Sequence, residues 1–370
     1  MQSLRTDVQR LSALALAWGA SLCLTGYLGS SASAGQSSAA ASPASVVPVR
    51  ESFLTLRHEA DNVDSPALWH GRDGQHWVLA TAKTTHQLVV YDAATGELVR
   101  RVGGPGNAPG QFLRPNGLAV HGDAAFVVER DNHRIQVLSL PGFGSLGFIG
   151  EGFLRRPYGL VLVPGDAPGQ VRIYATDNYE TTDGRIPPDA ELGERVKRFT
   201  AAVGEGLEWQ YGGAFGATRG PGRLRKVESI WADPDNGLLV VADEEERAVK
   251  LYGFDGRFTG EVVGRGRFLY EPEGIALHRC AGGEGYWVIT DQDTHHNRFL
   301  VFRRAGFEYL GAFSGHTTAN TDGVALTQRA FGPFSAGAFY AVHDDGGLGA
   351  FDWATVLQAL DLSADCGASD

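Results

Sequence analysis

Short apolar runs separated by turn pairs recur along most of the chain. Val, Ile, Tyr and Phe are frequent in these runs, and pairs such as Asp73-Gly74, Asn236-Gly237 and Asp255-Gly256 stand between them. Runs of this kind are typical of short strands joined by tight turns. The pattern therefore predicts a β-protein without long helices, and the 50 glycines agree with many turns.

Six segments of the chain begin alike, with a polar residue, then a small residue or proline, then an apolar strand. Their first residues are Asp64, Asn116, Tyr158, Glu228, Glu273 and Asp322. A second strand follows each start, a third is clear in Gln87 to Tyr91 and Arg134 to Leu138, and a more variable fourth ends several repeats. Four strands per unit, repeated every ~40 to 50 residues, are the signature of a propeller. We therefore predict an all-β, six-bladed β-propeller with four-stranded antiparallel blades.

Two segments fall outside the regular repeat. Asn178 to Glu194 is a polar insertion that lengthens the third repeat. Val46 to His58 precedes the first repeat, and we expect it to complete the last blade and close the ring, which would remove an exposed sheet edge.

The N-terminus resembles a secretory signal. It has Arg5 and Arg10, an apolar stretch from Leu11 to Leu28, and a small-residue cleavage site after Ala34. We predict a signal peptide at 1–34, an Ala/Ser-rich flexible tether at 35–48 and the propeller at 49–370. The alternative is an uncleaved membrane anchor. A cleaved protein would be secreted or periplasmic, without a stable membrane partner, and we expect a monomer.

The net charge of the chain limits the ligands that it can bind, and its cysteines limit the disulfides that it can form. The formal net charge of −11 argues against nucleic acid as a ligand, because no general basic surface is available. Cys280 and Cys366 remain after signal cleavage. Export permits a disulfide between them, and two unpaired thiols are the alternative.

The repeat register places six polar residues around the axis, because each blade points its innermost strand there. The first ring consists of the six repeat starts, and all six side chains carry oxygen. Calcium takes six to eight oxygen ligands, and carboxylates this close repel one another without a cation. A second ring lies where the second strands end; its members are Lys83, Arg130, Asn178, Glu244, Gln292 and His343 or Asp344.

Charge is unevenly distributed among the blades. Lys83 and Arg130, with Arg114 nearby in sequence, come from the first two blades, whereas the later blades bring carboxylates. A site that is cationic on one side and metal-loaded on the other suits a phosphate group. The alternative is that these side chains only solvate the mouth of the channel.

Several segments resemble the β-propeller phytases, which are secreted, calcium-dependent six-bladed phosphatases. The segments are Asp64-Ser65-Pro66-Ala67-Leu68-Trp69, Lys83 with Leu88-Val89-Val90-Tyr91, Ala242-Asp243-Glu244-Glu245, Glu271-Pro272-Glu273-Gly274, Asn320-Thr321-Asp322-Gly323-Val324 and Phe334 to Phe339. The resemblance implies several calcium ions that activate water for attack on phosphorus, with an inositol phosphate or a related small phosphate ester as substrate. The chain departs from the family pattern at Ser65, Leu118 and Asn178. Glu271 stands where the family pattern has the shorter aspartate.

Ring register and resemblance together predict the site residues. The metal ligands are expected to be Asp64, Asn116, Tyr158, Glu228, Glu244, Glu271, Glu273 and Asp322. The residues expected to be catalytic are Glu228, Glu273 and Asp322. The residues expected to bind substrate are Lys83, Arg130, Arg114 and Asn178.

Two other functions remain open. A lactonase similar to the gluconolactonase and regucalcin group would hold one divalent ion, for which Asn116, Glu228 and Asp322 could serve. A non-catalytic binding propeller is the third hypothesis, because Gly103 to Val120 and Asp131 to Val137 resemble an NHL repeat. We found no motif of a serine hydrolase, nucleotide-binding protein or zinc peptidase.

Overall fold

Six β-sheets arranged as blades make up the described part of the chain. The computed structural model describes residues 46–204, 206–295 and 297–365. The predicted signal peptide at 1–34 and most of the predicted tether therefore lie outside the described residues.

The strands and the single α-helix of the described residues follow in chain order. They are β1 Val46–Pro48, β2 Phe53–Leu54, β3 Val63–His70, β4 His76–Ala82, β5 Gln87–Asp92, β6 Leu98–Gly103, β7 Pro115–His121, β8 Ala124–Glu129, β9 Arg134–Ser139, β10 Ser145–Ile149, β11 Pro157–Pro164, β12 Gln170–Asp177, β13 Val196–Val203, β14 Leu207–Phe215, β15 Ile230–Asp233, β16 Leu238–Asp243, β17 Ala248–Gly253, β18 Phe258–Val263, β19 Glu271–Arg279, β20 Gly285–Gln292, β21 Arg298–Arg303, β22 Tyr309–Ser314, β23 Val324–Thr327, β24 Ala338–His343, β25 Gly347–Asp352 and α1 Trp353–Ala359. Short 3-10 helices occupy Asp189–Glu194, Gly220–Gly222 and Ala281–Gly283.

Four consecutive antiparallel strands form each of the first five blades, and the sixth blade uses β23, β24 and β25. The predicted six-bladed propeller is confirmed. The ring closes as expected, because β2 pairs antiparallel with β25, through Phe53 opposite Ala350. A second pairing was not predicted: β1 lies parallel to β22 and adds a fifth strand to blade five. Val46–Pro48, the last residues of the predicted tether at 35–48, thus belong to a sheet.

Packing between blades explains why the middle strands are apolar almost without interruption. Every residue of β8 is buried, since each of its faces contacts another blade. The described residues contain six apolar clusters, one at each seam between neighbouring blades. One of them joins the last blade to the first through Tyr340 and Val78. A single blade could not bury both faces alone, so the ring is the stable unit.

Helix α1 ends the last blade and was not predicted. Asp352 caps its N-terminus by accepting the Thr355 N–H at 3.2 Å. Trp353, Val356 and Leu357 are buried against the seam between blades five and six. No helix of the described residues is long and apolar enough to cross a membrane. Cys280 is disulfide-bonded, whereas Cys366 lies outside the described residues.

Glycine after the polar repeat start lets the inner strands approach each other at the axis. A methyl group on Gly117 would lie 2.5 Å from the Tyr158 carbonyl oxygen of the next blade. A methyl group on Gly323 would overlap the carbonyl oxygen of Asp64, where the last blade meets the first. Glycine follows the polar residue at these positions because any larger side chain would collide with the backbone of the neighbouring blade.

We expect Gly117→Ala to destabilise the propeller by about 2 kcal/mol, because the added methyl group meets backbone that cannot move independently of the ring. Chemical unfolding followed by tryptophan fluorescence measures this. Gly104→Ala is the matched control, since no atom lies within 4 Å of its added methyl group. Equal unfolding free energies for the two variants would contradict the close-approach explanation.

Candidate functional site

The first ring lies around a small cavity on the propeller axis. Asp64, Tyr158, Glu228, Glu273 and Asp322 line this cavity, whose volume is about 20 Å³. That is room for one water-sized sphere. Asn116, the sixth predicted member, is fully buried beside the ring, with its Nδ2 3.5 Å from Asp64 Oδ2.

Backbone hydrogen bonds fix the position of the second ring relative to the first ring. The N–H groups of its residues donate to carbonyls located two residues before the first-ring starts. The pairs are Lys83 to Asn62 at 3.0 Å, Arg130 to Arg114 at 3.1 Å, Asn178 to Arg156 at 2.9 Å and Glu244 to Lys226 at 3.1 Å. Four blades thus share one local geometry, which holds both rings in register.

Four buried acids that were not predicted hold the loops leading to the ring. Each stands immediately before a second-ring residue and accepts a backbone N–H from the loop that precedes a first-ring residue. The pairs are Glu129 with Leu113 N at 3.2 Å, Asp177 with Arg156 N at 2.6 Å, Asp243 with Arg225 N at 2.8 Å and Asp291 with Tyr270 N at 2.9 Å. Repetition of an acid at this phase in four repeats was the sequence signal for them.

Basic residues of the third strands compensate these acids. Arg134 Nε lies 2.8 Å from Glu129 Oε1, and Lys250 Nζ lies 2.6 Å from Asp243 Oδ2. Arg298 makes the same kind of pair with Asp291. Because each acid is also bound to backbone N–H groups, the pairs fix the loops as well as the charge.

Three glutamates converge at the axis. Glu228, Glu244 and Glu273 each offer one carboxylate oxygen, and these three oxygens lie within 4.8 Å of one another. Glu244 is 3% exposed and Glu273 is 6% exposed. Oε1 of Glu244 has no hydrogen-bond partner, whereas its Oε2 contacts the Lys226 ammonium. We call these three residues the glutamate trio.

Burial and mutual repulsion raise the pKa of every member of the glutamate trio. Burial, and then the Asp64 carboxylate, raise the pKa of Glu228 to about 8. Burial, and then Glu228, raise the pKa of Glu244 to about 9. Burial, and then Glu244, raise the pKa of Glu273 well above its ordinary value. The three carboxylates thus require a positive charge in order to be ionised together.

Lys83, predicted to bind substrate, is paired with two acids of the first ring. Its Nζ lies 2.7 Å from Asp64 Oδ2 and 2.9 Å from Asp322 Oδ2. Burial opposes its charge, but the two carboxylates outweigh burial and raise the pKa of Lys83 above its ordinary value. Burial raises the pKa of Asp322 to about 6, although Lys83 opposes this rise, and Gln292 Nε2 donates to Asp322 Oδ1.

Two of the other predicted substrate residues, Arg130 and Asn178, also have protein partners. Arg130 Nε lies 2.6 Å from Asp131 Oδ1, and its guanidinium contacts the Tyr158 hydroxyl. Asn178 is 5% exposed and accepts the Val227 N–H at 3.3 Å. Arg114 has a φ of 52°, in the left-handed region, and its Nε is buried without a hydrogen-bond partner.

The predicted metal ligands separate into two groups. Glu228, Glu244 and Glu273 form the glutamate trio, while Asp64 and Asp322 flank Lys83. Of the three other predicted ligands, Asn116 lies beside Asp64, Tyr158 contacts Arg130, and Glu271 lies at the rim with its half-exposed carboxylate 3.8 Å from Lys226 Nζ.

The second-strand loop of the last blade also approaches Lys83 with an acid, and this acid is Asp345 rather than the predicted His343 or Asp344. Burial raises the pKa of Asp345, and Lys83 opposes that rise. Asp344 instead pairs with Arg57 at 2.5 Å, and His343 Nδ1 accepts the Ala319 N–H at 3.3 Å. The N–H of Asp344 donates to Ala319 O, three residues before Asp322. The loop before Asp322 therefore has one more residue than the corresponding loops of the first four blades, while Asp345 lies one residue beyond the predicted second-ring position.

Comparisons with known proteins identify the fold and no family. No protein-family model matches the chain, and no curated protein sequence matches it significantly. The fold is similar to a calcium-binding protein, regucalcin, from Agrobacterium tumefaciens, with a TM-score of 0.52 and 13% identity over 83% of this chain and 95% of that one. Hydrazine synthase from Kuenenia stuttgartiensis has a TM-score of 0.47 and 13% identity, covering 84% and 82%. The chain is therefore a six-bladed β-propeller with structural similarity to regucalcin.

Without a cation, we expect the stability of the protein to fall between about pH 5 and about pH 9. The unfolded glutamates ionise near their ordinary pKa of 4.5, whereas burial raises the pKa of folded Glu228 to about 8, that of folded Glu244 to about 9, and that of folded Glu273 well above its ordinary value. Their contribution is thus fully present below pH 4.5 and is lost as the pH rises through the folded pKa values. Thermal melting in chelator across this range measures the effect.

Calcium provides the control for this pH dependence. An ion bound to the ionised trio would stabilise the folded state most at high pH, so the slope of melting temperature against pH should flatten when calcium is added. Glu273→Gln should flatten the slope in chelator as well, because one acid is removed. Identical slopes with and without calcium would contradict the coupling between the trio and a cation.

Proposed function

We propose that this propeller is a calcium-dependent hydrolase that opens small lactones. The observation that carries the proposal is the convergence of Glu228, Glu244 and Glu273 within 4.8 Å, with one buried oxygen of Glu244 unpaired. Three carboxylates in one place are costly unless a cation is bound. The site therefore has the character of a metal centre on the channel axis.

The ligand chemistry of the glutamate trio favours a hard cation. All three donors are carboxylate oxygens, which suit calcium, magnesium and manganese, whereas thiolate and imidazole donors favour zinc and copper. A bound divalent cation would polarise a carbonyl group and lower the pKa of a coordinated water. Lys226, in contact with Glu244, would offset part of the remaining negative charge.

Residues around the cavity that Glu228 and Glu273 line supply the other groups that hydrolysis needs. Asp322 lines the cavity outside the trio, and Lys83 and Gln292 hold its carboxylate in place. We assign Asp322 the role of accepting a proton from the attacking water. Tyr158, on blade three across the axis, lines the cavity with a hydroxyl that Arg130 orients, and it would position the substrate carbonyl.

Two considerations favour a lactone over a phosphate ester. Lys83 and Arg130, the cations expected to bind phosphate, are each paired with carboxylates. A lactone has a neutral reacting carbonyl and requires no such pair of free cations. The similarity of the fold to a calcium-binding regucalcin supports the same choice, since we expect lactonase chemistry in that group.

Phosphate ester hydrolysis of the β-propeller phytase type is the second candidate, and a basic row at the channel rim favours it. Arg114, Arg156 and Lys226 each stand two residues before a first-ring residue, on three consecutive blades. The Nε atoms of both arginines are buried without hydrogen-bond partners. An anionic group of a substrate could therefore bind at this rim above the glutamate trio.

A substrate panel separates the two candidates. We expect hydrolysis of a δ-lactone that requires calcium and is lost in chelator, with little release of phosphate from p-nitrophenyl phosphate or phytate. A pH-stat assay for the lactone and a phosphate assay for the esters measure the two activities. Calcium-dependent phosphate release without lactone hydrolysis would replace the first candidate by the second.

We expect Glu244→Gln to weaken calcium binding and kcat/KM by about 100-fold, because a buried, unpaired ligand oxygen loses its charge. Glu245→Gln is the matched control: the neighbouring glutamate is exposed, and its substitution should change neither quantity. Calorimetric titration with calcium and steady-state kinetics check this. Equal calcium affinity in the two variants would remove the glutamate trio from the proposed centre.

A further inference from the structure

The ammonium group of Lys83 lies between two carboxylates of the first ring. Its Nζ stands between Asp64 Oδ2 at 2.7 Å and Asp322 Oδ2 at 2.9 Å, and Lys83 is only 8% exposed. These two aspartates belong to the first and last blades, which are neighbours where the ring closes. The lysine thus offsets part of the charge of the two first-ring acids that the glutamate trio does not include.

The groups around this ammonium are those that a hard cation binds. Asn116 is fully buried beside Asp64, and its Oδ1 has no hydrogen-bond partner. Two carboxylates and a spare amide oxygen form an oxygen donor set. Calcium–oxygen distances of roughly 2.3–2.6 Å are only a few tenths of an ångström shorter than the two nitrogen–oxygen distances at Lys83.

Charge and space both favour a single exchangeable ion in the presence of Lys83. The carboxylates at the axis are Asp64, Glu228, Glu244, Glu273 and Asp322, and Lys83 and Lys226 offset two of their charges. One divalent ion then brings the group near neutrality. The free volume lined by the first ring, about 20 Å³, also accommodates one water-sized sphere.

We propose that Lys83 is a built-in replacement for a second divalent cation, so that this chain binds one ion where the sequence predicted several. The inference rests on the proposed function for its first ion, held by the glutamate trio. It gives Lys83 a positioning role: a covalently attached charge keeps Asp64 and Asp322 together at any calcium concentration. Lewis-acid chemistry is thereby confined to the side of the cavity that Glu228 and Glu273 line.

Removal of the lysine should therefore create a second calcium site. Lys83→Ala leaves two facing carboxylates and a vacated volume, and we expect it to bind one more calcium ion than the wild-type protein. The double variant Lys83→Ala/Asp64→Asn should lose the added ion, because one of the two carboxylates is neutralised. Calorimetric titration or equilibrium dialysis with calcium on the full chain gives the number of ions per protein.

The difference in ion number between variant and wild type decides the proposal separately from the proposed function. One ion in wild type and two in Lys83→Ala support both the role of Lys83 and the calcium site at the glutamate trio. One ion in each, or two already in wild type, overturns the role of Lys83 and leaves the trio intact. No ion in wild type but one in Lys83→Ala supports the role of Lys83 and overturns the trio, and no ion in either overturns both.

If Lys83→Ala folds poorly without calcium, a second variant and a second measurement still test the role of Lys83. Lys83→Gln keeps most of the side-chain volume and offers an amide oxygen to an ion, so it should also gain one. Melting temperature against calcium concentration should rise more steeply for either variant than for wild type, because one more ion is linked to folding. An equal dependence on calcium in wild type and both variants would overturn the proposal.

Discussion

Repulsion among carboxylates that the closed ring forces together is the constraint on which the centre of this propeller depends. Each blade directs one polar side chain at the axis, and the backbones of neighbouring blades come close at the glycines after several of these residues, where the Gly274 N–H donates to Asp322 O at 2.7 Å. Asp64, Glu228, Glu273 and Asp322 therefore surround one small cavity. Their charge must be removed by protons, by lysines or by a cation.

The surrounding frame keeps this arrangement rigid. Glu129, Asp177, Asp243 and Asp291 bind the backbone N–H groups of the loops that lead into the ring, and basic residues of the third strands neutralise them. A site fixed in this way cannot relieve its repulsion by relaxing. The same rigidity is useful for hydrolysis, since ligands and proton acceptor keep their positions without a rearrangement.

The register of the repeats was sufficient to predict the six blades and the residues that meet at the axis. Equivalent positions in the repeats of a propeller lie at the same level along its axis. It could not show that Lys83 turns between two aspartates, since that depends on the three-dimensional neighbours of a long side chain. The parallel pairing of Val46–Pro48 joins distant parts of the chain. Asp345 was missed because the repeat register aligned His343 or Asp344 with the second ring, whereas Asp345 lies one residue further along the chain.

The most direct test of the central claim is a crystal structure of the protein grown in saturating calcium. The account predicts one ion bound by Glu228, Glu244 and Glu273, roughly 2.3–2.6 Å from at least one oxygen of each, with Lys83 still between Asp64 and Asp322. A structure without calcium at the glutamate trio, or with calcium only between the two aspartates and Lys83 displaced, would contradict it.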